Sequence, residues 1–83
     1  MENQSLRRLI RQKLQDGGLP RDSVRKVWSS PSAGEKCDVC GAILTQEQLV
    51  MEATTVQQGI ALHLHVRCFQ LWDLEKEALH VVN

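Results

Sequence analysis

A small α+β domain stapled by a metal is the fold class this sequence predicts, and three observations predict it. The chain has 83 residues, and one core of that size stabilises little without a metal or disulfides. Donor residues recur at a single spacing, Cys37-x2-Cys40 and His65-x2-Cys68. Between those pairs the apolar residues alternate as in a strand, and after them they take helical spacing. Apolar residues make up 42% and charged residues 24% of the chain. That balance is globular rather than disordered.

The first element is an N-terminal amphipathic helix. Ser5 can cap it, and Gly17-Gly18 can stop it. Leu6, Leu9, Ile10 and Leu14 fall on one helical face, which puts Arg7, Arg8 and Arg11 on the opposite, solvent side. Ser23 to Trp28 fits either one helical turn or an extended stretch in which Val24 packs with Trp28, and Pro31 and the small-residue loop that follow favour the extended form. Ser29 to Gly34 is a run of small residues and reads as a loop.

The remaining elements read as turn, hairpin and helix. Cys37-Asp38-Val39-Cys40-Gly41 makes a tight turn. Leu49 to Val56 suits a strand, and Gln57-Gln58-Gly59 a short connection. From Ile60 to His65, Ile60, Leu62 and Leu64 face one way, while Ala61, His63 and His65 face the other. A helix follows over 66–79. Cys68, Leu71, Trp72, Leu74, Ala78 and Leu79 give it a broad apolar arc that calls for more than one packing partner. Gln70, Asp73, Glu77 and His80 lie on its polar side, with His80 at a solvated end.

The chain therefore divides into a basic N-terminal helix and linker, residues 1–36, and a Cys/His module, residues 37–83. The net charge is zero, which argues against wholesale polyanion binding. The zero conceals an asymmetry. Residues 1–36 carry eight Lys/Arg and four Asp/Glu, a net +4, and residues 37–83 carry two and six, a net −4.

Cys37, Cys40, His65 and Cys68 form a candidate metal site. Zinc takes four N or S donors in a tetrahedron. A tight turn aims two cysteines three apart at one point, and Gly41 relaxes the backbone just beyond them. His65 and Cys68 sit at a strand-to-helix junction, where positions three apart share a face. The helix N-terminus there also favours a thiolate at Cys68. One structural Zn2+ per chain is the expectation. Three inert buried cysteines, an iron–sulfur cluster and a catalytic cysteine are the weaker readings. His63 is the rival to His65, but closing a site from His63 to Cys68 within one helical turn is harder.

The pattern Cys-x2-Cys, a spacer, then Leu64-His65-Val66-Arg67-Cys68-Phe69 resembles the first zinc half of a LIM domain. More broadly it resembles treble-clef zinc fingers. It is also similar to small bacterial proteins of unassigned function with a CxVCG knuckle and an HxxCFxxW segment, matched here by Cys37 to Gly41 and His65 to Trp72. The resemblance spans residues 37–72. It implies a treble-clef-like arrangement of zinc knuckle, β-hairpin and helix. A LIM domain would continue with a second zinc site, and no cysteine follows Cys68 in this sequence.

Four protein ligands leave no open metal position, so a structural role and no enzymatic activity are expected. Two binding roles remain. A protein-interaction or regulatory module would use anchors such as Trp28, Phe69 and Trp72, unless the tryptophans are core. A nucleic-acid-binding finger would use Arg7, Arg8, Arg11, Arg21, Arg25 and Lys26. No stretch is long and apolar enough to span a membrane. The N-terminus MENQSLRRLIRQKL lacks the uninterrupted apolar region of a signal peptide, which makes the cytoplasm the expected location.

Overall fold

A computed structural model describes residues 3–57, 59 and 61–81. The order is helix α1 (Asn3–Asp16), strands β1 (Val24–Pro31), β2 (Leu49–Thr55) and β3 (Leu62–His65), then helix α2 (Val66–Val81). The strands form one antiparallel sheet in the order β1-β2-β3. This is a small α+β fold in which α2 packs on β2 and β3 of a three-stranded sheet and α1 packs on α2.

Helix α1 forms because its apolar residues recur at helical spacing. It buries Leu6, Ile10 and Leu14, with Leu9 half-buried. It begins at Asn3, so Ser5 lies inside the first turn rather than capping it. Gly17 ends it with φ at 87°, a left-handed conformation that only glycine takes without strain. Arg21 then folds back, its Nε donating to the Leu14 carbonyl at 2.6 Å and its Nη2 to that of Gln15 at 3.2 Å. A cation on those last carbonyls also complements the helix dipole.

The extended reading of Val24 to Trp28 holds, and the strand runs further than the sequence suggests. Ser29, Ser30 and Pro31 belong to β1 and pair with Met51, Val50 and Leu49. Their small size signalled a loop, yet an edge strand tolerates proline where its nitrogen faces away from the ladder. Strand β2 ends at Thr55, and β3 is limited to Leu62–His65. Gln58 and Ile60 lie outside the described residues.

One core is shared by both halves of the chain. Residues 1–36 supply Leu6, Ile10, Leu14 and Leu19, and residues 37–83 supply Val39, Leu44, Val50, Ala53, Leu64, Leu71 and Trp72. The apolar stripe of α1 thus docks within its own chain.

Helix α2 departs from the expected arc. It buries Cys68, Leu71, Trp72, Glu75 and Lys76, a stripe at i, i+3, i+4, i+7 and i+8. Leu74 remains 53% exposed, and Ala78 and Leu79 are exposed too. The helix backbone passes through His80, whose side chain lies outside the described residues. Two charged residues occupy the buried stripe because each has partners there. Glu75 Oε2 accepts from Arg7 Nε at 2.7 Å, and Oε1 accepts from Arg11 Nε at 2.8 Å. Lys76 Nζ lies 4.0 Å from the centre of the Trp72 ring and donates to the Asp22 carbonyl at 3.2 Å. The arginines expected to face solvent therefore differ: Arg7 and Arg11 reach across to α2, while Arg8 stays on the exposed side.

Candidate metal centre

Three elements deliver the donors. Residues 35–44 form a miniature hairpin, the knuckle, closed by a bridge between Lys36 and Ile43. Within it the Cys37 N–H donates to the Ala42 carbonyl at 2.8 Å, and the Gly41 N–H to the Cys37 carbonyl at 2.9 Å. Gly41 sits at φ 80°, the conformation that lets the chain turn between the cysteines and Ala42. The last residue of β3 supplies His65, and the first turn of α2 supplies Cys68.

The edge of β3 holds the knuckle in place. Asp38 N–H donates to the His63 carbonyl at 2.8 Å, and His63 N–H donates to Asp38 Oδ2 at 2.8 Å. The backbone of His63 thus seats the knuckle, while its ring lies 3.9 Å from Glu52 Oε2 and outside the donor cluster.

The ligand atoms of Cys37, Cys40, His65 and Cys68 all lie within 4.8 Å of one another. His65 Nδ1 is 3.5 Å from Cys40 Sγ and 3.8 Å from Cys68 Sγ. Bond lengths of about 2.3 Å to sulfur and 2.0–2.1 Å to nitrogen put S and N about 3.6 Å apart in a tetrahedron. The cluster has that size, and its thiols are free. Three sulfurs and one imidazole nitrogen are also the donor types that soft, tetrahedral metal sites use. The four residues could hold one metal ion, with His65 binding through Nδ1. Cys37 and Cys68 are buried, and Cys40 and His65 are half-buried.

The surroundings favour a negative sulfur at Cys37. The Cys37 thiol is drawn down to about 4, first by the hydrogen bond from Cys68, then, against its burial, by the amides of Cys40, His65 and Val39. Cys68 is pushed upward, first by donating to Cys37, then by burial and the nearby charge of Cys37 and Cys40. Lys13, at the end of α1, reinforces this arrangement. Its Nζ donates to the Asp38 carbonyl at 3.2 Å and the Val39 carbonyl at 2.6 Å. Those carbonyls belong to the two peptide units whose N–H ends, on Val39 and Cys40, point at Cys37. An ammonium at the oxygen end polarises each peptide toward the thiolate at the other.

Lys13 and Asp38 were not visible as site residues in the sequence. Each acts on residues 25 or 26 positions away, and nothing local marks such a pairing. Beside the cluster opens a groove of roughly 650 Å³, lined by Leu6, Leu49, Val66 and Arg67 together with Cys40 and His65.

Fold and site together define a small α+β domain with a four-donor Cys3His cluster. No protein-family model, no curated protein and no solved structure matches the chain. No helix among the described residues is long and apolar enough to cross a membrane.

Proposed function

We propose that this chain is a protein-interaction module whose Cys37, Cys40, His65 and Cys68 hold one structural zinc ion in a treble-clef-like arrangement. The observation that carries the reading is the convergence of four protein donors at tetrahedral spacing. Such a set fills the coordination sphere and leaves no position for water or substrate, which makes the metal a staple and not a catalyst. Knuckle, hairpin and helix follow one another in treble-clef order, with the last two donors at the strand-to-helix junction. Binding then belongs to the surface that the metal organises.

That surface favours a protein partner over nucleic acid. Much of the basic arm is engaged internally: Arg7 and Arg11 with Glu75, Lys13 with the knuckle, and Arg21 with the end of α1. Such pairing leaves Arg8, Arg25, Lys26 and Lys36 as a thin positive surface, while Trp28, Leu49, Leu74 and Leu79 are exposed. Aromatic and aliphatic side chains of that kind anchor protein interfaces.

Elemental analysis of protein reconstituted under reducing conditions tests the metal, with one zinc per chain expected. Replacing zinc by cobalt(II) should give the absorption of a tetrahedral thiolate site. A nucleic-acid titration across salt concentrations tests the partner class. Tight binding that falls steeply with salt would favour the basic-arm alternative.

A further inference from the structure

The sheet has two edges, and only one of them is closed. At β3 the backbone groups that point away from β2 are taken up by the knuckle. Asp38 bonds both the N–H and the carbonyl of His63, and the His65 amide turns to Cys37. At β1 the pattern is set by Ser32, whose N–H donates to the Gln48 carbonyl at 3.0 Å. The register then runs without a shift from Pro31↔Leu49 to Lys26↔Thr54. Antiparallel pairs alternate between bonded and non-bonded. Ser30, Trp28 and Lys26 therefore bond to β2, and Pro31, Ser29 and Val27 turn their backbone groups outward. Among the described residues nothing takes up those of Val27 or Ser29. Pro31, which has no N–H, stands at an outward position and costs the ladder nothing. Neither helix packs on β1, and Val27 and Trp28 are 43% and 42% exposed.

We propose that two copies of this chain pair antiparallel through β1, about a two-fold axis at Trp28, to make one continuous sheet. The register follows from the outward groups. Centring on Trp28 sets Val27 against the partner's Ser29 and Ser29 against the partner's Val27, so every outward donor and acceptor of both residues is used. Centring on Ser29 would set Val27 against the partner's Pro31, whose missing N–H leaves the Val27 carbonyl without a donor. Centring on Val27 would set Ser29 against Arg25, at the register shift between Val24 and Lys26.

The chosen register places Trp28 opposite the partner's Trp28 in a non-hydrogen-bonded pair, where side chains approach most closely. Lys26 meets the partner's Ser30 and not another cation. The two Lys26 residues lie about 13–14 Å apart along the strands, beyond the Debye length of about 8 Å at physiological salt. The register shift near Arg25 and Pro31 bracket the free window and keep it short. Because the knuckle closes the β3 edge, pairing stops at two copies and does not propagate. An interface of this size falls below the standard class of about 1,600 Å², so the dimer is weak and concentration-dependent. The proposal does not depend on the identity of the metal or of any other partner.

Sedimentation velocity of the zinc-loaded full chain tests it. The mass should rise toward that of two chains as concentration goes from about 10 µM to about 1 mM, the range of a small interface. Ser29→Pro removes an outward N–H and no internal bond, so it should stay monomeric with its thermal midpoint at low concentration unchanged. Under mild oxidation Trp28→Cys should give a covalent dimer, because disulfides need Cα atoms within about 7 Å. Lys26→Cys should not. A wild-type monomer throughout the range, or a Ser29→Pro dimer, overturns the proposal. Cross-linking by Lys26→Cys in place of Trp28→Cys overturns it as well. So does a monomer whose β1 amides instead report binding of polyglutamate, the probe for an acidic strand. Zinc content, assayed on the same samples, keeps failure of this pairing distinct from failure of the metal reading.

Discussion

The two ends of α2 are anchored by different chemistry. Its first turn contributes Cys68 to a cluster of three sulfurs and an imidazole. Three thiolates there would repel one another, and a bound cation would offset that repulsion. Its later turns contribute Glu75 and Lys76, charges as buried as the sulfurs. Their partners come from the chain itself: Arg7 and Arg11 for Glu75, and Trp72 with the Asp22 carbonyl for Lys76. On the proposed zinc reading, one end depends on metal supply and thiol redox state, and the other does not. The two halves share a core, so that end would then govern the stability of both.

The largest effect tests that dependence. Structural zinc contributes about 10–16 kcal/mol of apparent binding free energy in finger peptides at neutral pH, against a net stability of at most about 5–15 kcal/mol for a domain. Cys40→Ser or Cys68→Ser should abolish amide dispersion over residues 35–72 and, through the shared core, over α1 and β1 as well, whereas His63→Ala should keep both zinc and fold. If chelation leaves the amide spectrum unchanged, the metal end is no more dependent than the other and the contrast disappears.

At the self-sufficient end the informative substitution is Glu75. Its carboxyl is held below the usual range, first by the hydrogen bond from Arg11 and then, against burial, by that from Arg7. Bonds to charged groups are worth about 1.5–3 kcal/mol, so Glu75→Ala should lower the unfolding free energy from urea titration by that order. Glu75→Met fills the same space without a buried charge and should be nearly neutral. Equal losses in both variants would show that the ionic seam stabilises in its own right.

Lys13 links the two ends, since it leaves α1 and bonds the knuckle carbonyls. Outer partners of metal ligands typically change affinity by about 10–100-fold. Lys13→Met should weaken zinc binding by that factor in a competition titration and leave helicity intact. An unchanged affinity would show that the Lys13 contacts serve packing alone.

What could be read in advance followed the same division. The convergence of Cys37, Cys40, His65 and Cys68 was legible because coordination restricts residue type and spacing, and the stripe of α1 because a helix repeats every 3.6 residues. The α2 arc was misread because apolar character was taken as the sign of burial. Leu74, Ala78 and Leu79 face out, while Glu75 is buried by arginines 64 and 68 positions away. No local pattern reports a partner at that distance. Ser29-Ser30-Pro31 misled in the opposite way. Residue type suggested a loop, and pairing with Leu49 to Met51 made a strand.

The smallest effect should come from Lys76, and it isolates the metal-free end by pH. Burial lowers its pKa, and the charges of Asp73 and Asp22 only partly offset this. A lysine whose folded pKa lies below its unfolded value binds its proton less well in the folded state. Between those two values the unfolded chain holds more protons, so stability rises with pH. The rise begins as pH passes the folded value and ends near the unfolded value of about 10.4. Thiols that bind zinc in the fold regain their protons in the unfolded chain below about 8.5, so they add a climb of their own in the lower part of that range. Wild-type protein should therefore show an unfolding free energy that climbs from pH 8 to 10, with Lys76 contributing less than about 1.4 kcal/mol per pH unit. Lys76→Met should make the climb shallower, most clearly above pH 9, while keeping the contact with Trp72. A climb unchanged in Lys76→Met would assign all of it to other groups. A wild-type midpoint that falls over this range would mean that the ammonium over Trp72 stabilises the fold more than its burial costs.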